Sequence, residues 1–261
     1  FSGVIKDAGL TTGTGGNLTL TTGTEILSGI NTYTGTTTIN GGTLELNNTS
    51  GTTLPTTAAV TISGSGTLDL HDYSQTIASM NSTSTSSVIT NNGSTNNVTL
   101  SITGSSPGSF AGVIQNGSSK NIALTLNSAG TFTLTNANTY TGTTTITAGT
   151  LALTGSGAIA SSSSVAANGT FDISGVTTSA SIVTLSGSGT TTLGSKLLTI
   201  TNGSTTFSGA MNGTSGQLTI SGGTETLSGN NGYTGATTIN SSATLALTGS
   251  GAIASSSSVA A

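Results

Sequence analysis

The stretch NTYTGTTTINGGTLEL at residues 31–46 returns almost unchanged at two other places in the chain. It reads NTYTGTTTITAGTLAL at 138–153 and, one residue longer, NGYTGATTINSSATLAL at 231–247. The copies share a tyrosine, a glycine two residues later and three aliphatic residues. These are Tyr33, Gly35, Ile39, Leu44 and Leu46; Tyr140, Gly142, Ile146, Leu151 and Leu153; and Tyr233, Gly235, Ile239, Leu245 and Leu247. A motif so poor in charged groups predicts a structural role for these residues.

The motif belongs to a longer repeat. FSGVI at the chain start, FAGVI at 110–114 and FSGAM at 207–211 mark repeats over 1–109 and 110–206 and a partial repeat over 207–261. Neither a proline-rich spacer nor a charge block separates them, so we expect a single continuous domain over 1–261. The identical strings TGSGAIASSSSVAA at 154–167 and 248–261 further suggest a segment of a longer repetitive protein.

Within each long repeat, apolar residues flank one small or polar residue. This strict alternation is typical of a strand with one buried face, and the middle residue points outward. Such triplets begin at Leu18, Leu44, Val60, Leu68, Val98, Leu124, Phe132, Leu151, Phe171, Val183, Leu198, Leu218 and Leu245. Asn-Gly pairs fall between the triplets, and since both residues tolerate positive φ, we expect turns there.

Short strands recurring at this spacing predict an all-β fold, a right-handed parallel β-helix with about 20–27 residues per coil and roughly 11 coils. The composition agrees, because only 4% of the 261 residues are charged and the net charge is −4. A disordered chain usually has higher net charge and fewer β-branched residues. An antiparallel sandwich, or a string of immunoglobulin-like modules of about 100 residues, is the alternative.

The sequence LTLTTGTEILSGINTYTGTTTINGGTLEL, followed by LPTTAAVTISGSGTLDL and SQTIASM, resembles the passenger-associated repeat of bacterial autotransporters. A further match is TTFSGAMNGTSGQLTISGGTETLSGNNGYTGATTI at 205–239. The resemblance implies a right-handed β-helical stalk that is exported to the cell surface. It also implies an anchoring β-barrel outside this segment. In that family such repeats form stalks that carry adhesins, proteases or no domain of evident activity. The resemblance therefore assigns no specific function.

Few residues could carry chemistry. His71 and Asp72 could pair with a serine for catalysis, but Ser174 and Gly175 stand at the matching positions of the next long repeat. Asp69 and Asp172 could bind calcium, although solvated faces are the simpler interpretation. We therefore expect no catalytic residue, no cofactor and no metal. The three motif tyrosines could form an aromatic row that contacts sugar or protein, or could cap the corner of a coil.

The remaining composition limits the partners. Three lysines and no arginine cannot make a basic stripe, so nucleic acid is excluded. No run of about 20 apolar residues is present, which predicts no transmembrane helix. Three TTT triplets, at 36–38, 143–145 and 190–192, raise the option of ice or crystal-surface binding, but they do not recur in every coil.

Two functions follow from these observations. The first is a non-enzymatic stalk of an autotransporter-like bacterial protein at the cell surface or outside the cell, structural or adhesive toward a host or neighbouring cell surface. The second is a subunit of an extracellular filament or sheath, in which copies of the chain stack end to end through unpaired strand edges.

Overall fold

The computed structural model describes residues 1–7, 15–49 and 52–261. These residues form 27 strands, and the chain divides into two compact units. The first unit contains residues 1–132 and 139–142, and the second contains residues 133–138 and 143–261. Over the described ranges, no helix has the length and apolar character that crossing a membrane requires.

The first unit consists of parallel sheets. Their orders are β1-β3-β5-β8, β2-β4-β6-β9-β12 and β7-β10-β13, with β11 also beside β13. The last two residues of β13 belong to the second unit. The strands are β1 (Leu18–Leu20), β2 (Thr24–Leu27), β3 (Thr37–Ile39), β4 (Thr43–Leu46), β5 (Ala59–Ile62), β6 (Thr67–Asp69), β7 (Gln75–Ile77), β8 (Ser79–Asn81), β9 (Val88–Thr90), β10 (Val98–Ile102), β11 (Gly108–Phe110), β12 (Val113–Ile114) and β13 (Ile122–Leu134).

The second unit is built in the same way. Its sheets have the orders β14-β16-β19-β22, β14-β15-β18, β17-β20-β23-β25-β27 and β21-β24-β26. The strands are β14 (Thr144–Gly155), β15 (Val165–Ala167), β16 (Thr170–Val176), β17 (Ser179–Ile182), β18 (Leu185–Ser186), β19 (Thr190–Thr192), β20 (Leu197–Ile200), β21 (Thr206–Phe207), β22 (Ala210–Asn212), β23 (Gln217–Ile220), β24 (Gly223–Leu227), β25 (Thr237–Ile239), β26 (Ala243–Leu247) and β27 (Val259–Ala260).

Most strands pair with a strand of the next coil rather than with their neighbour in sequence. Among the described partners, the smallest step is from Ala180 to Leu198 and the largest is from Ser82 to Phe110, which are 18 and 28 residues. The two units together contain about 12 turns of solenoid. The predicted all-β, parallel β-helical fold is therefore confirmed, and the antiparallel sandwich is wrong.

The core of each unit is a column of aliphatic side chains. In the first unit Leu44, Leu68 and Ile89 are register partners on successive coils, and all three are fully buried. The residues that follow them on the same strands were predicted to face solvent, but only Glu45 is partly exposed, whereas Asp69 and Thr90 are each 3% exposed. Asp69 is buried because residues of its own and the next coil cover it.

Turns were expected at the Asn-Gly pairs because both residues tolerate positive φ, and this reason is wrong. Positive φ falls on other glycines and on His71, Asp72 and Ser215, and on neither residue of any Asn-Gly pair. Close approach is the reason for glycine at Gly117, where an added Cβ would lie 1.7 Å from the carbonyl oxygen of Asn91. Stacked coils bring that carbonyl against the chain, and no larger residue fits.

Candidate functional site

The recurring motif forms a buried corner of the coil. Tyr33 and Tyr140 are 1% exposed and Tyr233 is fully buried. The Tyr33 hydroxyl lies 2.5 Å from Thr37 Oγ1, and the Tyr233 hydroxyl lies 2.7 Å from Thr237 Oγ1. Burial raises the pKa of Tyr33 and of Tyr233, so both phenols stay protonated at neutral pH. These rings fill the core and have no surface with which to contact a sugar.

A hydroxyl chain continues from the tyrosine to the next coil. Thr237 Oγ1 lies 2.9 Å from Ser256 Oγ, which in turn donates to the Gly235 carbonyl. In the middle copy Thr144 Oγ1 lies 2.9 Å from Ser162 Oγ. The threonine four residues after the motif tyrosine therefore links two coils through side chains. The sequence pattern predicted no role for this threonine in joining coils.

Removal of the Tyr233 hydroxyl is expected to be mild. Tyr233→Phe should lower the free energy of unfolding by about 1 kcal/mol, because Thr237 keeps its bond to Ser256. Thr237→Val should cost more, about 2 kcal/mol, since it leaves a buried phenol without a partner. Chemical denaturation measures both, with half-buried Tyr73→Phe as control. Equal losses for the two variants would contradict the hydroxyl chain.

An asparagine two residues before each motif tyrosine binds backbone groups of several coils. Asn231 accepts a hydrogen bond from the Met211 N–H at 3.0 Å, and its Nδ2 donates to the carbonyls of Gly229 and Ala252 at 2.8 and 3.0 Å. Met211 lies one coil before Asn231, and Ala252 lies one coil after it. One buried amide thus joins three successive coils.

The other two copies repeat this asparagine. Asn31 accepts from the Ile5 N–H and donates to the carbonyls of Gly29 and Thr53. Asn138 Nδ2 donates to the carbonyls of Asn136 and Ala158 at 2.8 and 3.2 Å. Sequence reasoning missed these residues, although their recurrence in all three copies was a sufficient signal.

The motif glycines allow the coil to approach the preceding coil. Gly35 N–H donates to the Gly16 carbonyl at 3.0 Å, and Gly235 N–H donates to the Gly216 carbonyl at 2.9 Å. A Cβ at Gly35 or Gly235 would lie within 2.5 Å of that same oxygen. Gly142 makes the equivalent bond to Ile122, and its Cβ would lie 2.3 Å from the Ile122 oxygen.

Glu225 is a carboxyl group inside the solenoid. It is fully buried, its Oε2 accepts from Thr184 Oγ1 at 3.0 Å, and its Oε1 has no hydrogen-bond partner. Burial raises the pKa of Glu225 from 4.5 to about 7, against the opposing effect of the Thr184 hydrogen bond. Burial therefore favours the protonated form of this carboxyl group.

Thr184 departs from the predicted alternation of buried and exposed residues. As the middle residue of the triplet that begins at Val183 it was expected to face outward, but it is 4% exposed and turned toward Glu225. β17 ends at Ile182 and β18 begins at Leu185, so the chain turns between them and the alternation starts again.

The remaining candidate residues lie on and near β6. Asp69 ends this strand, and His71 and Asp72 form the turn after it. His71 Nδ1 has no hydrogen-bond partner, and its Nε2 faces Glu45, so the histidine is not paired with a serine. Glu45, Asp69 and His71 each offer one ligand atom, and these atoms lie within 4.8 Å of one another. Asp172 has no such neighbours, since its register partner is Ala152.

Comparison with known families finds one family model that matches the segments containing the corner motif. A family model described as passenger-associated-transport-repeat matches residues 12–46, 124–153 and 222–247, each of which contains one copy of the motif. Three segments of the chain therefore match the passenger-associated-transport repeat. The resemblance to the repeats of autotransporter passengers is thereby confirmed, on a chain that folds as a β-solenoid. None of the curated proteins and none of the solved structures matches the chain significantly.

The three repeats bury their aliphatic residues to different extents. Ile39, Leu44 and Leu46 of the first repeat are fully buried, and so are Ile146, Leu151 and Leu153 of the second. In the third repeat Ile239 and Leu245 are half-buried and Leu247 is 45% exposed. These three lie in the last coils of the chain, where fewer described neighbours pack on them.

Proposed function

We propose that this chain is part of a non-enzymatic stalk of an autotransporter-like bacterial protein, displayed at the cell surface or released outside the cell. The observation that carries the proposal is the buried corner of each passenger-associated-transport repeat. Its asparagine and glycine bond to neighbouring coils, and its tyrosine packs in the core with its hydroxyl against a threonine of the same coil. A motif used in this way supports a rod-building role, structural or adhesive toward a host or neighbouring cell.

The titratable residues support a non-enzymatic role. The Asp72 carboxylate accepts hydrogen bonds from the backbone N–H groups of Ser94, Thr95 and Asn96, so it serves the turn and not the adjacent imidazole. Glu225 is closed off from solvent. A general acid or base must reach a substrate, and neither carboxylate is placed to do so.

A deletion series in the protein displayed on bacteria tests this function. Removing residues 110–206 fuses equivalent points of two long repeats, and the displayed protein should shorten by about 4.8 Å for each coil removed. Length is read by electron microscopy or atomic force microscopy, and attachment to host cells and to neighbouring bacteria is counted. A matched control replaces the same segment with an unrelated solenoid of equal coil number. Unchanged length and attachment after deletion would contradict the stalk.

A filament subunit is the second candidate, and one surface feature favours it. In the part of the chain that the structure describes, the exposed large apolar side chains fall on the first and last coils. They are Phe1, Val4, Ile26, Ile30, Leu247 and Val259. Apolar edges of this kind can template further stacking of coils.

Light scattering and electron microscopy of the purified chain test the filament. Long fibres should form with the wild-type chain and should be lost in a Val4→Lys, Leu247→Lys double variant, because charged edges oppose strand addition. Ser242→Lys, at an exposed position of the last coil, is the control and should still form fibres. A monodisperse wild-type monomer would exclude this candidate.

A further inference from the structure

Two carboxylates lie side by side on the outer face of the first unit. Glu45 on β4 and Asp69 on β6 are direct register partners on adjacent coils. Like charges at directly opposed positions of a sheet destabilise it. Within the described ranges, the only basic side chain within ion-pair distance of either carboxylate is His71. A positive charge between the two coils would therefore stabilise this pair of carboxylates.

The imidazole of His71 lies between these carboxylates. Its Nε2 is 3.6 Å from Glu45 Oε1, and its Nδ1 is 3.9 Å from Asp69 Oδ2. Both distances are too long for direct hydrogen bonds. A metal ion binds only one of the two ring nitrogens, and with one atom taken from each residue the three ligand atoms lie within 4.8 Å of one another.

A second observation points to a ligand at the same place. His71 Nδ1 is buried and has no hydrogen-bond partner. A buried ring nitrogen without a partner is costly, and binding of a cation or of a proton would remove that cost. The unpaired atom faces Asp69, which is 3% exposed, so the group that satisfies it must sit inside the cluster.

Neighbouring amides hold the carboxylates in place. Asn92 donates to Asp69 through its backbone N–H at 2.9 Å and its Nδ2 at 3.0 Å. The backbone N–H of His71 donates to Asp69 Oδ1 at 3.0 Å, and Asn47 Nδ2 lies 3.4 Å from Glu45 Oε1. Hydrogen bonds of this kind orient the ligands of metal sites and raise their affinity.

We propose that Glu45, Asp69 and His71 bind a divalent transition-metal cation of the Zn²⁺ class. One imidazole nitrogen with two carboxylate oxygens suits Zn²⁺ or Co²⁺, whereas Ca²⁺ prefers a shell made of oxygen alone. The cation neutralises the opposed carboxylates and ties β4 to β6. Water completes its coordination, and the site requires no catalytic role.

Calorimetric titration of the EDTA-treated whole chain with Zn²⁺ tests the proposal. We expect one Zn²⁺ per chain and a rise in melting temperature on binding. His71→Asn and Glu45→Gln should each weaken binding at least 10-fold. Asparagine tolerates the positive φ of 41° at this position, so the histidine variant should fold. Asp172→Asn is the matched control and should bind like the wild type, because Asp172 faces Ala152 and not a second acid.

Two spectroscopic readouts report on the site directly. Co²⁺ should give visible absorption that His71→Asn abolishes. The chain has one histidine, so its imidazole proton resonances should shift on addition of diamagnetic Zn²⁺ without overlap from others. Circular dichroism in EDTA checks that each variant is folded. The proposal is overturned if Zn²⁺ does not saturate a site, if His71→Asn binds it as tightly as the wild type, or if Ca²⁺ binds more tightly than Zn²⁺.

Discussion

Asn231→Ala is expected to lower the free energy of unfolding by about 3 kcal/mol, a larger loss than that of Tyr233→Phe or Thr237→Val. The variant leaves the buried Met211 N–H without its acceptor and removes one donor each from the carbonyls of Gly229 and Ala252. An orphaned buried donor costs about 1–3 kcal/mol, and each lost amide bond adds about 1 kcal/mol. The two carbonyls keep one backbone partner each, which limits the loss.

Chemical denaturation and hydrogen exchange measure this effect together. The amide of Met211 should lose protection in Asn231→Ala, because its acceptor is the deleted side chain. Asn231→Asp keeps that acceptor but turns a carboxylate oxygen toward two carbonyls, so it should be at least as unstable at pH 7. Exposed Asn230→Ala is the control and should stay within about 0.5 kcal/mol of the wild type. An Asn231→Ala variant as stable as this control would refute the joining of three coils.

Glu225→Gln is expected to stabilise the chain at pH 8 by about 3 kcal/mol and to change little at pH 4. The folded pKa of about 7 exceeds the unfolded value of 4.5, so the folded state binds the proton more tightly. Its contribution to stability is complete below pH 4.5 and is lost as the pH rises through 7. The difference of about 2.5 pKa units corresponds to about 3 kcal/mol.

Denaturation curves between pH 4 and pH 8.5 check the sign. The wild type should lose stability across this interval, and Glu225→Gln should remove most of the slope. Glu25→Gln is the matched control, because Glu25 stands at the same place in the first repeat but is 43% exposed in its side chain. It should leave the slope unchanged. A Glu225→Gln variant with the wild-type slope would show that this carboxyl is not the titrating group.

The strands and the parallel coils could be predicted because they depend on local patterns. A triplet such as Leu198-Thr199-Ile200 carries its own period-two signal, and β20 covers it. The burial of the motif tyrosines agrees with one of the two roles that the sequence allowed, a ring that caps the corner of a coil. The aliphatic residues of the core could be predicted without knowing which coils are neighbours.

Contacts between coils could not be predicted in this way. The step between described coils varies from 18 to 28 residues, so the sequence alone does not pair Glu45 with Asp69, which are 24 residues apart. Glu225 and Thr184 meet across two coils for the same reason. One clue was present, since Phe132 stands where the first and third repeats have glutamate, and phenylalanine indicates an inward position.

Cross-linking of introduced cysteines tests the parallel coils most directly, since the natural chain has none. Thr199 and Thr219 are register partners on adjacent coils, and Thr238 is the partner of Thr219 on the coil after. Thr199→Cys with Thr219→Cys should form a disulfide under mild oxidation, because neighbouring strands lie about 4.8 Å apart. Thr199→Cys with Thr238→Cys should not, since two strand spacings exceed the reach of a disulfide. Bonding of the second pair and not the first would contradict the stacked parallel coils.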